Sequence, residues 1–156
     1  MCGIIGIVSK NQVVDRLIDG LECLEYRGYD SSGIATVNNS EIVCSKSTGK
    51  LVSLKNKLKQ KPIDGYIGIG HTRWATHGEP VELNAHPHVT KNVAVVHNGI
   101  IENFAEFKDG LREKGINFKS QTDTEVIAKL VEEKISNENR GPLEAVRLTV
   151  EKLRGS

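Results

Sequence analysis

Cys2 is the residue of this chain whose type and position best suit nucleophilic chemistry. Initiator methionine is commonly removed before a small second residue, and removal of Met1 would leave a thiol and a free α-amine on one residue. That amine has an ordinary pKa of about 8, so it can take the thiol proton at physiological pH. The alternative is that a cysteine stands second by chance. Cys23 and Cys44 lie inside apolar patterns and are predicted to be small structural residues.

The segment His71–Pro80 follows a predicted strand and is a second candidate for function. Its Arg73 presents a rigid fork of donors that matches a carboxylate in two parallel hydrogen bonds. Trp74 could give a ligand apolar cover, and Gly78 and Pro80 suit a loop that closes over it. The alternative is an exposed loop with a partly buried tryptophan.

Two polar positions further along the chain could complete such a site. The side-chain amide of Asn98 and the backbone N–H of Gly99 would be two donors able to point at one oxygen, as acyl transfer requires for its tetrahedral oxyanion. Asn-Gly is also a common tight-turn dipeptide. Asp123 would accept from a ligand ammonium, or would only favour the start of the helix that follows it.

The five histidines of the chain raise the question of a metal site. His86 and His88, together with His71, His77 or His97, could in principle supply ligands. No helical HxxxH pair and no CxxC pair accompanies them, so the sequence predicts no metal. A metal-binding module remains an alternative that elemental analysis for zinc would test.

The apolar periodicity predicts the elements that must position these residues. It favours an α+β layered domain with antiparallel sheet, because strands and helices do not alternate as regular βαβ units. Thr122–Glu125 has the form of a capping box opening a helix, and Pro142 suits the first turn of another. The predicted strands are Gly3–Ser9, Ile34–Val37, Glu41–Lys46, Tyr66–Thr72 and Asn92–His97, and the other predicted helices cover Gln12–Tyr26, Leu51–Gln60 and Phe104–Leu111.

Length and charge narrow the class of protein further. The chain has 156 residues and a formal net charge of +1, which argues against a dedicated nucleic-acid binder. We see no apolar run long enough to span a membrane and no signal peptide. Three widely spaced cysteines without an export signal predict reduced thiols in the cytoplasm.

Six longer motifs resemble one family among the class II glutamine amidotransferases. They are Cys2–Ile4, Glu25–Gly33, His71–Pro80, Asn84–His88, His97–Asn103 and Thr122–Glu125. Together they resemble the N-terminal glutaminase domain of the glucosamine-6-phosphate synthase family, the isomerizing glutamine–fructose-6-phosphate aminotransferases. The resemblance implies an N-terminal-nucleophile hydrolase fold, a four-layer αββα sandwich with two stacked antiparallel sheets. It also implies that residues 1–156 form a single glutaminase domain.

The resemblance further implies a reaction, the hydrolysis of the glutamine side-chain amide to glutamate and ammonia. By motif match, Cys2 would be the nucleophile with its own α-amine as base, and Asn98 and Gly99 would form the oxyanion hole. Arg73 would hold the α-carboxylate of glutamine and Asp123 its α-ammonium. The loop that closes over the substrate would include Trp74, Thr76, His77 and Gly78. The reaction needs no metal or organic cofactor.

In this family the glutaminase domain supplies ammonia to a C-terminal isomerase portion that binds fructose 6-phosphate. The chain stops at Arg154–Ser156, near the expected junction between the two portions, so we expect it to act as a glutaminase by itself. A catalytically silent glutamine-binding module that uses the same pocket is the alternative, and release of ammonia from glutamine distinguishes the two.

Overall fold

The computed structural model describes residues 2–75 and 78–156. It contains two antiparallel sheets and a set of helices that lie on their outer faces. In chain order the elements are β1 (Gly3–Val8), α1 (Val14–Leu24), β2 (Ser31–Asn38), β3 (Glu41–Thr48), α2 (Leu51–Gln60), β4 (Ile67–Arg73), β5 (His88–Val89), β6 (Ala94–Val95), α3 (Phe104–Glu113), α4 (Glu125–Ser136) and α5 (Pro142–Val150).

The larger sheet has the strand order β1-β4-β2-β3, with every neighbouring pair antiparallel. One of its faces packs against α1 and α2, whose leucines recur at helical spacing and are buried there. Leu17 and Leu21 of α1, Leu51 and Leu54 of α2 and Ile34 of β2 have side chains that are at most 2% exposed. This packing anchors β4, the strand that ends at Arg73.

The smaller sheet, β5–β6, lies on the other side of the larger sheet and packs against α4. Ala94 of β6 and Val37 and Ile67 of the larger sheet line a common cavity of about 220 Å³ between the two sheets. Helices, sheet, sheet and helices therefore follow one another as four layers, as the family resemblance implies.

The predicted strand Asn92–His97 is paired only at Ala94–Val95. The backbone N–H and the side-chain amide of Asn92 both donate to the carboxylate of Glu132 on α4, each at 2.8 Å. These bonds draw the start of the segment toward the helix, so the hydrogen-bonding groups of Asn92 are not free to extend the ladder.

The prediction of a capping box at Thr122 is wrong. Helix α4 begins at Glu125, and no side-chain hydrogen bond caps it at Thr124. The Glu125 carboxylate instead accepts from the backbone N–H groups of Lys119 and Ser120, at 2.6–3.1 Å. The Thr122 hydroxyl is 2.8 Å from His88 Nε2. Both side chains that the local pattern assigned to the helix terminus therefore bond other partners.

Two other local expectations are also corrected. Cys23 lies on the exposed side of α1 and is not a packed structural residue. The sequence predicts that the hairpin between β2 and β3 turns at Asn38-Asn39. It turns one residue later, at Asn39-Ser40, whose φ angles are positive at 47° and 66°. Over residues 2–75 and 78–156, the structure contains no helix with the length and apolar character needed to cross a membrane.

Candidate active site

A cavity of about 490 Å³ opens where the start of β1, the end of β4 and the segment after β6 come together. Six of the nine predicted site residues line it, namely Cys2, Arg73, Trp74, Asn98, Gly99 and Asp123. Gly78 lies nearby and reaches the site through its carbonyl, which accepts a 3.4 Å hydrogen bond from Arg73. Thr76 and His77 lie outside the described residues. The other residues lining the cavity are Arg27, His71, His86, His97, Ile100, Thr122, Thr124 and Ser156.

Cys2 is held beside the end of β4 by the antiparallel register of β1, which places Gly3 opposite Thr72. The partly exposed thiol sulfur accepts a hydrogen bond from the backbone N–H of Trp74 at 3.3 Å. The sulfur is therefore fixed at the cavity wall, where a substrate can reach it. Burial raises the pKa of the Cys44 thiol to about 11, so that second thiol stays protonated and unreactive at neutral pH.

Asn98 links the nucleophile to a buried histidine. Its Nδ2 donates to the backbone carbonyl of Cys2 at 3.1 Å, and its Oδ1 lies 3.1 Å from His71 Nε2. The side-chain amide is thus oriented by two partners and faces the residue that carries the thiol. A preorganised donor in this position suits the stabilisation of an oxyanion formed by attack of that sulfur.

Gly99 is needed for close backbone approach. A Cβ at this position would lie 1.7 Å from the backbone oxygen of Ser156 and 2.9 Å from His97 Nε2. The same Ser156 oxygen accepts from the N–H of Ile100 at 2.9 Å. The glycine therefore lets the last residues of the chain lie along the cavity rim.

Arg73 is the last residue of β4, and its side chain is almost fully buried. Its guanidinium donates to the carbonyls of Gly78 and Glu79 at 3.4 Å and lies 3.8 Å from the carboxylate of Asp30. A guanidinium that lines the cavity has the fork of donors that suits a carboxylate. Asp30 also accepts from the backbone N–H of Ala75, which ties the segment after Trp74 to β2.

The side chain of Trp74 is 47% exposed and meets Tyr29 edge to face at 5.5 Å. Gly78, which follows the undescribed pair, has a φ of +80° that favours glycine. A Cβ there would also lie 2.9 Å from the side-chain nitrogen of Asn84. The expected cover over the cavity therefore has an aromatic residue at one end and an obligate glycine at the other.

Asp123 precedes α4, and its Oδ2 accepts from the backbone N–H of Ile101 at 2.6 Å. The carboxylate therefore fixes the chain just beyond Gly99 and also contributes to the cavity lining. Asp123 can therefore hold the backbone of Ile101 and also accept from a ligand ammonium, because a carboxylate that accepts one hydrogen bond has lone pairs left.

Sequence reasoning gave no role to Arg27, and it considered the cavity histidines His71, His86 and His97 only as possible metal ligands. Arg27 stands inside the motif Glu25–Gly33, so the motif was the available signal, although nothing local marks its guanidinium as part of the site. The rings of His71 and His86 stack at 4.3 Å, and His88 meets His86 edge to face at 4.6 Å. We call these three residues the histidine stack.

Burial lowers the pKa of every ring in the histidine stack, because a buried imidazole loses hydration when it is charged. The pKa values of His71 and His88 fall to about 4, and that of His86 falls further because Arg73 and the two other rings of the stack surround it. The stack is thus neutral at physiological pH. Within residues 2–75 and 78–156, no group of three or more His, Cys, Asp or Glu side chains is placed to hold a metal ion.

Solved structures with the same fold include the glutamine phosphoribosylpyrophosphate (PRPP) amidotransferase of B. subtilis complexed with ADP and GMP. That chain matches with a TM-score of 0.82 at 24% identity, over 99% of this chain and 33% of its own length. A structure described as the allosteric regulatory enzyme of purine biosynthesis matches with a TM-score of 0.83, also at 24% identity, over 100% of this chain and 34% of its own. These likenesses confirm the predicted N-terminal-nucleophile fold.

The chain is also similar along its whole length to proteins named glutamine–fructose-6-phosphate aminotransferase (isomerizing). It is 53% identical to the one from Mesorhizobium japonicum, 54% to that from Brucella suis and 55% to that from Bartonella quintana, each over 156 residues. Each match covers 100% of this chain and 26% of the relative, so the chain spans about a quarter of the length of these curated relatives.

The two-sheet sandwich, with Cys2 just before its first strand and facing the cavity, has the fold of the solved amidotransferase chains. The family of glutamine amidotransferase domains matches residues 71–156, which carry Arg73, Asn98, Gly99 and Asp123. The chain therefore belongs to the glutamine amidotransferase domain family.

Proposed function

We propose that this domain hydrolyses the side-chain amide of L-glutamine to glutamate and ammonia through a thioester on Cys2. The observation that carries the proposal is the convergence of a thiol, an amide donor, a guanidinium and a carboxylate on one cavity. Glutamine is a zwitterion with a neutral amide at its far end, so its recognition and cleavage need just these groups.

Arg73 binds the α-carboxylate of glutamine in this proposal, because its planar fork matches a carboxylate. Asp123 accepts from the α-ammonium. With its charged end held in this way, glutamine extends its side-chain amide to the thiol of Cys2. Trp74 covers the apolar part of the substrate. Thr76, His77 and Gly78 belong to the segment that closes over the bound substrate, as the family resemblance implies.

The chemistry proceeds in two stages. The α-amine of Cys2, free once Met1 is removed, takes the thiol proton, and the sulfur attacks the amide carbon to form a tetrahedral oxyanion. Asn98 Nδ2 and the N–H of Gly99 stabilise that oxyanion. The α-ammonium then protonates the departing nitrogen, which leaves as ammonia. Water attacks the thioester, its proton passes through the α-amine to the sulfur, and glutamate and the free thiol result.

In the relatives named above, the matched region is one part of a longer aminotransferase. We propose that the ammonia released here serves a C-terminal isomerase portion that binds fructose 6-phosphate, in the synthesis of amino sugars. Residues 1–156 would constitute the glutaminase domain. We also propose a cytoplasmic location, consistent with three cysteines that are all free thiols.

The test is release of glutamate and ammonia from L-glutamine, with Cys2→Ala as the matched control. Both chains permit removal of Met1, so the control differs only in the thiol. We expect turnover by the parent chain and none by Cys2→Ala. Binding of glutamine without turnover by the parent chain would favour the silent binding module, and no binding at all would overturn the substrate assignment.

A further inference from the structure

The most informative contact not used in the proposed mechanism joins His71 to Asn98. His71 lies within β4, with Ile4 of β1 opposite on one side and Gly33 of β2 on the other. Its side chain is 1% exposed. A residue held by two neighbouring strands cannot shift with the loops around the cavity, so His71 is a rigid support for whatever it contacts.

Hydrogen-bond chemistry fixes the orientation of both side chains. Asn98 lies between His71 Nε2 and the carbonyl oxygen of Cys2, each at 3.1 Å. The Cys2 carbonyl can only accept, so the amide nitrogen of Asn98 must face it and the amide oxygen must face the ring. An amide oxygen also only accepts, so His71 Nε2 must carry a hydrogen. The reverse orientation would set two oxygens against each other.

We propose that His71 is a positioning residue for the oxyanion donor, using an Nε2–H to hold the Asn98 amide in its productive orientation. This inference rests on the proposed function, because it assigns Asn98 the donor role defined there. The ring nitrogen that faces the site is already committed as a donor. His71 therefore cannot serve as the base that takes the thiol proton.

The surroundings of His71 maintain this arrangement. Its ring stacks on His86 with an angle of 19° between the planes. His86 is itself held by the backbone N–H of His97, which donates to His86 Nδ1 at 3.3 Å. Gly33 leaves space for the stack, because a Cβ there would lie 2.3 Å from the backbone oxygen of His86. Burial keeps His71 neutral, so its single ring hydrogen stays on one nitrogen.

The first experiment measures steady-state glutamine hydrolysis for His71→Phe and His71→Gln. Phenylalanine keeps a ring but removes the donor, whereas the glutamine amide can place a donor near the position of Nε2. We expect His71→Phe to lower kcat by roughly tenfold to hundredfold with KM changed by less than about threefold, because a misplaced donor weakens transition-state contacts most. His71→Gln should recover most of kcat. Equal losses in both variants would indicate a packing role and overturn the proposal.

A double-mutant cycle with Asn98→Ala isolates the link between the two residues. Once Asn98 has no amide, His71→Phe should cause almost no further fall in kcat. Multiplicative losses would show that His71 acts independently of Asn98 and would overturn the proposal. Turnover by the parent chain is established first, so a failure of the proposed function is recognised separately.

A measurement on the unmodified protein covers the case in which His71→Phe does not fold. The ¹⁵N chemical shifts of the His71 ring distinguish the Nε2–H tautomer from the Nδ1–H tautomer. We expect Nε2–H near neutral pH. A ring protonated at Nδ1 alone would overturn the proposal even if the protein hydrolyses glutamine.

Discussion

The histidine stack makes the stability of this domain depend on pH in a range where few other groups titrate. His71, His86 and His88 are each no more than 5% exposed. Burial lowers the pKa of His71 and His88 to about 4 and that of His86 further still. In the unfolded chain all three should titrate near the ordinary histidine value of about 6.5.

The direction of the effect follows from these values. The folded protein resists protonation of the rings, whereas the unfolded chain takes up protons as the pH falls through about 6.5. The stability contributed by the neutral rings is therefore fully present above about pH 6.5 and is lost as the pH falls toward 4. Between about pH 7.5 and pH 5, each histidine should remove about 2 kcal/mol from the free energy of unfolding, and the three together about 6 kcal/mol.

Two carboxylates with lowered pKa values, Glu132 and Glu125, do not mask this loss. Partial burial alone would raise the pKa of Glu132, but hydrogen bonds from Ser136, Asn92 and Thr90 lower it to about 2. Bonds from Lys119 and Ser120 outweigh burial in the same way and lower the pKa of Glu125. The stability contributed by these two carboxylates is lost only below their unfolded pKa of about 4.5, outside the measured interval.

Urea unfolding at about pH 7.5 and pH 5 measures the difference directly. We expect His88→Gln to reduce the fall by about 2 kcal/mol, because the glutamine amide can bond the Thr122 hydroxyl without titrating. Glu132→Gln is the matched control and should leave the fall unchanged. Equal unfolding free energies of the parent chain at the two pH values would refute the assignment of neutral, buried rings.

Four predictions concern the site itself. An electrophilic glutamine analogue should label Cys2 and spare the exposed Cys23, and peptide mapping that found the label on Cys23 would contradict the nucleophile assignment. Arg73→Ala removes charge-assisted bonds worth roughly 1.5–3 kcal/mol each, so KM for glutamine should rise by at least about tenfold. An unchanged KM would remove Arg73 from substrate binding. Asn98→Ala should lower kcat by about 10²–10³ with a smaller change in KM, and an unchanged kcat would exclude it as an oxyanion donor. A chain shown by mass spectrometry to retain Met1 should be nearly inactive, and full activity in that form would exclude the α-amine as base.

Local patterns were sufficient where an element is stabilised by its own apolar face. Helix α2 covers the predicted residues Leu51–Gln60, because Leu51 and Leu54 alone define the side that must be buried. Strands β1 and β4 lie within one residue of their predicted ends for the same reason. The residues predicted to catalyse or bind also line one cavity, because strand ends and the loops that follow them lie together at one edge of the sheet.

Other features depend on contacts that no local sequence pattern marks. Nothing around Thr122 predicts that Glu125 will bond Lys119 and Ser120 rather than cap its own helix. The stacking of His71 on His86 is equally hidden, because it depends on how β4 and the segment before β5 lie across Gly33. The Glu125 bonds satisfy backbone N–H groups of Lys119 and Ser120, and local sequence patterns do not encode that requirement.

Three polar side chains of the cavity make hydrogen bonds within the protein, and these bonds bear on how the proposed substrate would bind. Asn98 donates to the Cys2 carbonyl, Asp123 accepts from Ile101, and Arg73 reaches two loop carbonyls at 3.4 Å. Asp123 can keep its bond and still accept from an ammonium, so it contributes a fixed anchor. In the proposed binding mode Arg73 donates to the substrate carboxylate from a guanidinium that also contacts the carbonyls of Gly78 and Glu79, so binding and the position of these two residues are linked. Under the proposed function, Arg73 therefore links occupation of the cavity to Gly78 and Glu79, whereas Asn98 and Asp123 are held by the sheet and by the start of α4.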